Sequence, residues 1–131
     1  MQPETTELLF VYGTLRPSLA AGGPARLVHG LDLVGPATAA GVLFDLGDYP
    51  GVVAGDGIVH GDLLRITDPA RLEPLDAYEE CGGPDPLFRR ERTLVRLPDG
   101  TTVEAWLYRY ARPPRGVVIA GGDYAAHIAG R

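Results

Sequence analysis

The chain has 131 residues, 45% of them hydrophobic, enough to bury a core as one domain spanning 1–131 without staples, and its net charge of −5 disfavours a nucleic-acid backbone as partner. It contains no Lys, no Asn, one Ser and one Cys, which removes Schiff-base and phosphate-loop lysines, most serine relays, internal disulfides and multi-cysteine metal sites. No apolar run approaches the ~20 residues of a membrane span and Met1-Gln2-Pro3-Glu4 has no secretion-signal pattern, so a cytoplasmic protein without a membrane partner is expected.

Eighteen Gly and twelve Pro in an otherwise ordinary globular composition point to many short strands and turns. Leu8–Tyr12 reads as a buried strand rich in β-branched and aromatic side chains. It runs directly into Gly13, where the backbone can turn and bring main-chain N–H groups close to a ligand carbonyl or carboxylate. Arg16 to Pro24 reads as a surface loop, and Ala25–His29 as a short helical turn. From Leu31 to Leu46 a kinked or bulged strand is expected, broken at Gly35-Pro36 and Gly41. Asp48-Tyr49-Pro50-Gly51 is a turn. Val52–Ala54 and Ile58–Ile66 read as two strands joined by a Gly55-Asp56-Gly57 hairpin.

Asp68-Pro69 is a helix entry, Asp as the cap and Pro at the first helical position. Pro74 lacks an N–H and predicts a break, with a second short turn through Glu79. Phe88–Leu97 and Thr101–Tyr110 form a hairpin closed by Pro98-Asp99-Gly100. In its second arm Val103, Ala105, Leu107 and Arg109 alternate with Trp106, Tyr108 and Tyr110. After Ala111 the chain is irregular until a last helical turn at Asp123–Ala129. These elements predict an α+β fold, a small mixed β-barrel of about six strands with one or two short flanking helices.

Carboxylates concentrate at Glu73, Asp76, Glu79 and Glu80. On a helix Asp76 and Glu79 share a face, and like charges at that spacing disfavour double ionisation; a buried carboxyl there can exchange protons near neutral pH. The competing reading is a solvated acidic helix end. Arg89, Arg90 and Arg92 are read as a solvated strand edge or, alternatively, as partners of these acids or of a substrate carboxylate. Trp106, Tyr108 and Tyr110 read as core or rim packing rather than as a stacking platform. His29, His60 and His127 have no ligand spacing, so no metal is expected, and Cys81 reads as a bystander thiol.

Taken in order, Phe10–Arg16, Leu46–Val52, Val59–Leu63, Leu75–Glu79, Phe88–Arg90 and Ala105–Tyr108 resemble the gamma-glutamylcyclotransferase-like superfamily, over roughly residues 8 to 124 and most closely its small bacterial gamma-glutamylamine branch. The resemblance implies the superfamily's barrel and an enzyme that closes a gamma-glutamyl unit to 5-oxoproline and expels an amine. It implies that Glu79 moves protons, that Tyr12, Gly13, Thr14, Leu15 and Tyr108 bind substrate, and that no cofactor or metal is required. The implied partner is a small gamma-glutamyl compound, with the protein a monomer or homodimer. Two departures stand out: Glu80 occupies a place where glycine is usual, and Phe88 one where tyrosine is frequent. Glu80 is therefore the alternative to Glu79, and a non-catalytic barrel that binds a small ligand or partner in the same cavity is the alternative function.

Overall fold

The structure, a computed structural model, describes residues 7–20 and 22–130. Met1–Glu4, on which the signal-peptide reading rests, and Ala21 of the Arg16–Pro24 loop lie outside them. In chain order the elements are β1 (Glu7–Val11), α1 (Gly22–Val28), β2 (Asp32–Asp45) and β3 (Pro50–Ile66), then a 3-10 turn (Pro69–Arg71) and α2 (Leu72–Tyr78). They are followed by β4 (Phe88–Arg96), β5 (Thr102–Tyr110), β6 (Val117–Val118) and α3 (Tyr124–Ala129). The sheet order β3-β1-β5-β4-β2 closes on itself because β2 also pairs with β3, giving a five-stranded barrel; β6 adds to β2 outside the ring. Full closure leaves the ring no unpaired edge.

β1 sits centrally, antiparallel to β3 and parallel to β5. Its two faces explain its unbroken apolar run. Phe10 and Tyr12 pack in the barrel interior with Leu43, Val52, Leu63 and Leu107. Leu9 and Val11 pack on the outer face with Leu64, Leu72, Leu75 and Tyr108, in a layer that also takes in Val28. At Gly61 a Cβ would lie 2.3 Å from the Val11 carbonyl oxygen. Only glycine allows β1 and β3 to approach so closely there.

The hairpin β4–β5 and the bulged β2 form as expected, with register shifts at Leu33/Gly35 and Ala40/Val42. The Gly55-Asp56-Gly57 hairpin does not form. Val52–Ala54 and Ile58–Ile66 belong to one strand, because Val42 pairs with Val53 and Ala40 with Ile58 on the same partner. The residues between them bulge opposite Gly41. The glycines serve close approach, since a Cβ on Gly57 would lie 2.7 Å from the Gly41 carbonyl oxygen and one on Gly55 2.5 Å from Val42 Cγ2. The strand count of six survives with different members: two expected strands merge, and β6 appears where the sequence reads as irregular. The β2–β3 turn falls at residues 46–49, where the Leu46 N–H donates to the Tyr49 carbonyl at 3.0 Å.

The helical segment after Asp68 is divided, but ahead of Pro74. Asp68 caps the 3-10 turn by accepting from the Ala70 amide, and α2 begins at Leu72, which places Pro74 third in the helix. An amide in the first turn has no intrahelical acceptor, so proline costs little there. Among the described residues the α-helices are three and all short, with Gly22–Pro24 inside α1. No helix is long and apolar enough to cross a membrane among the described residues.

Candidate active site

The end of β1, the β2–β3 turn and the end of α2 meet around a cavity of about 340 Å³. Tyr12, Gly13, Thr14 and Leu15 form one wall, and Tyr78, Glu79 and Glu80 another. Asp48, Tyr49 and Pro50 close a third side, and Leu87, Phe88 and Tyr108 complete it. Every residue assigned to catalysis or substrate binding from the sequence is therefore at one site.

Gly13 lets the loop lie flat against the β2–β3 turn: a Cβ there would sit 2.6 Å from Pro50 Cγ. The Arg16 N–H donates to the Gly13 carbonyl at 2.9 Å, whereas the Thr14 and Leu15 amides donate to no backbone carbonyl among the described residues. Free N–H groups at a cavity wall are positioned to receive an anion or a polarised carbonyl. Arg16 anchors the loop from below through Asp62 at 3.1 Å and Asp123 at 3.2 Å. The Tyr12 hydroxyl donates to the Tyr108 carbonyl at 2.5 Å, tying loop to β5. Burial raises the Tyr12 pKa, and the Glu79 carboxylate adds to that; both residues line the same cavity.

Glu79 is the C-cap residue of α2. Its side chain makes no hydrogen bond or ion pair among the described residues. Burial first, then repulsion from Glu80, pushes its pKa up to about 7. The group thus holds and releases a proton near neutral pH, as a general acid/base must. Glu80 is exposed and has a φ of 54°.

The expected Asp76–Glu79 pairing is corrected. Asp76 instead takes a two-pronged contact from Arg90, at 2.8 and 3.2 Å, and the Tyr108 hydroxyl at 2.7 Å. Its charge is spent on those donors, and the like charge acting on Glu79 is that of Glu80. The arginines divide accordingly: Arg90 holds Asp76, Arg92 pairs with Glu104 at 3.1 Å and Glu7 at 3.5 Å, and Arg89 is exposed. Arg90 and Arg92 cover Trp106 from 4.2 and 4.3 Å. Trp106, Tyr108 and Tyr110 pack in the outer layer as read. Burial, with Asp76 and Glu79 nearby, pushes the Cys81 thiol up to about 11, away from nucleophilic use. The histidines do not converge: His127 meets Asp45 at 2.8 Å, His60 is exposed, and His29 offers its carbonyl to Arg71.

The sequence profile described as gamma-glutamyl cyclotransferase, AIG2-like, matches residues 9–126. The chain belongs to that family. It is 38% identical over 118 residues to the gamma-glutamylcyclotransferase family protein YtfP of Escherichia coli K12, covering 88% of this chain and 94% of that one. The solution structure of E. coli YtfP superposes with a TM-score of 0.63 at 34% identity, over 92% and 98% of the two chains. A protein of Pyrococcus horikoshii, PH0828, shares the fold with a TM-score of 0.70 at 22% identity, over 95% and 94%.

Within the family's frame, the Asp48, Tyr49 and Pro50 wall corresponds to the Leu46–Val52 motif, which by itself assigns these residues no role. Tyr78 lies within the Leu75–Glu79 motif without a role of its own there, and Leu87 carries no signal. Both reach the cavity through the helix end and the connection into β4, which sequence spacing does not place.

Proposed function

We propose that this chain is a gamma-glutamyl cyclotransferase acting on a gamma-glutamyl amine or peptide. The reading rests on one observation: a partly buried carboxyl with a pKa of about 7, Glu79, shares a cavity with the Tyr12–Leu15 loop. Glu79 takes a proton from the substrate's α-ammonium, and the freed amine attacks the γ-carbonyl carbon. The new C–N bond closes a five-membered ring, the Thr14 and Leu15 amides receive the developing oxyanion, and the old C–N bond breaks as Glu79 returns the proton to the departing nitrogen; the ring nitrogen's surplus proton follows through the same carboxylate, leaving neutral 5-oxoproline nitrogen and a protonated amine. Electrons and protons balance within the substrate and Glu79, so the step calls for no cofactor. Folding the substrate back on itself makes the attack intramolecular and supplies part of the acceleration.

Among the described residues the cavity wall holds three carboxylates, Asp48, Glu79 and Glu80, and no Arg or His, which favours an amine product over an acidic one. The partner is thus a small gamma-glutamyl compound. The single Cys81 requires no oxidising compartment, in keeping with a cytoplasmic reaction. Incubation with a panel of gamma-glutamyl amines and dipeptides is expected to yield 5-oxoproline and the free amine. A blank panel at high enzyme concentration overturns the proposal, and calorimetric binding without product points to the non-catalytic barrel instead.

A further inference from the structure

Away from the cavity, the outer surface of β2, β3 and β4 carries a second hollow, of about 270 Å³. Strand register explains its shape. Ala40 pairs with Ile58 on β3. On its other side β2 pairs Ala39 with Val95, which sets Leu94 of β4 beside Ala40. A small residue thus lies between two large aliphatic ones, and Ile58 and Leu94 are 63% and 66% exposed. Aliphatic side chains this open, flanking a shallow floor, mark a contact surface more than a solvated one.

The charges around the hollow are arranged in a particular way. Arg96 lies beyond the Ile58–Ala40–Leu94 row on the β4 side, paired with Thr38. Asp56 lies beyond the same row in the opposite direction on the β3 side, in the bulge facing Gly41. Both line the hollow. Neither has an ion-pair partner among the described residues, whereas Arg16, Arg90, Arg92 and Arg112 each have one. One unpaired acid and one unpaired base at opposite corners of an apolar centre make the patch complementary to itself.

We propose that this face is a homodimer contact with two-fold symmetry. An axis lying in the plane of contact and passing over Ala40 carries the Asp56 corner of one copy onto the Arg96 corner of the other, forming two equivalent ion pairs. Ala40 of each protomer faces its partner's across the axis, and Ile58 and Leu94 of both protomers pack around that centre. The hollow is the centre of the contact, and the roughly 800 Å² per partner that a standard interface buries requires the surrounding β2–β4 surface as well. The second copy is the occupant because one surface supplies both halves of the charge match.

The test is sedimentation velocity on the full chain, at concentrations up to about 0.5 mM, with circular dichroism to confirm folding of each variant. The wild type is expected to dimerise reversibly, and Leu94→Asp to sediment as a monomer. Asp56→Arg alone and Arg96→Asp alone each weaken association about tenfold or more, by setting like charges together. The double variant Asp56→Arg/Arg96→Asp restores it, because the swapped pairs are again opposite. A wild type that stays monomeric throughout overturns the proposal. So does a dimer indifferent to these substitutions, which would use another face or bind through another surface.

Discussion

Glu80 turns the chain out of α2 with a left-handed φ of 54°, and this leaves Glu79 as the helix's C-cap residue with its carboxyl at the cavity. The Cys81 N–H donates to the Asp76 carbonyl at 3.1 Å and the Glu80 N–H to the Ala77 carbonyl at 3.2 Å. These are the two bonds of a helix end that normally recruits glycine at the left-handed position. The residue that departs from the family's usual glycine therefore sits where the backbone itself would favour one.

The first prediction concerns pH. Glu79 begins the proposed reaction as a base, so kcat/KM is expected to rise with pH through about 7. Glu80→Gln removes a repulsion that favours the protonated form, and the acidic limb moves to lower pH. The pH–rate profiles of the two proteins measure this directly. Glu79→Gln is expected to lose about 10²-fold or more in turnover at every pH.

Stability carries the opposite sign. A carboxyl whose folded pKa is raised above its unfolded value binds more protons when folded, so its favourable contribution is present at low pH and lost as pH climbs through about 7. Glu79→Gln removes that loss. Thermal unfolding is expected to show the variant more stable than wild type at pH 8 by ~2 kcal/mol, with the difference vanishing near pH 4. Equal melting curves at both pH values would show that the Glu79 carboxyl is not strained by its site.

Backbone strain at Glu80 predicts a gain on substitution by glycine. A left-handed L-residue costs about 1–2 kcal/mol, and glycine returns part of this through its greater unfolded freedom. Glu80→Gly should stabilise the fold by ~0.5–1 kcal/mol in denaturant titration. Glu80→Gln keeps the strain and removes only the charge, so it should fall well short of the glycine variant.

The loop wall is tested at Gly13. A Cβ there meets Pro50 Cγ at 2.6 Å, and Pro50 is itself buried at the start of β3. Gly13→Ala is expected to cost about 1–3 kcal/mol by overpacking and to displace the Thr14 and Leu15 amides. The corresponding readout is a fall in kcat larger than any change in KM, because the oxyanion forms only in the transition state.

Chain-local physics determined much of this protein. An apolar run ending at Gly13, the Asp68 cap, the Pro98-Asp99-Gly100 turn and the alternation along 102–110 each act through neighbours within a few residues, and each took the form expected. The absence of Lys and the single Ser and Cys already steered the chemistry toward carboxylate acid/base work. Other features were decided only when distant strands met. Gly55 and Gly57 signal a turn by composition alone, and it is the pairing of Val42 and Ala40 with one continuous β3 that converts them into a bulge. The partner of Asp76 could not come from helical spacing, because Arg90 and Tyr108 reach it from β4 and β5. Only that diversion, with the Glu79 carboxyl partly buried in the cavity it shares with the β1 loop, separates the two acids of one helix into an ion-paired brace and a free carboxyl.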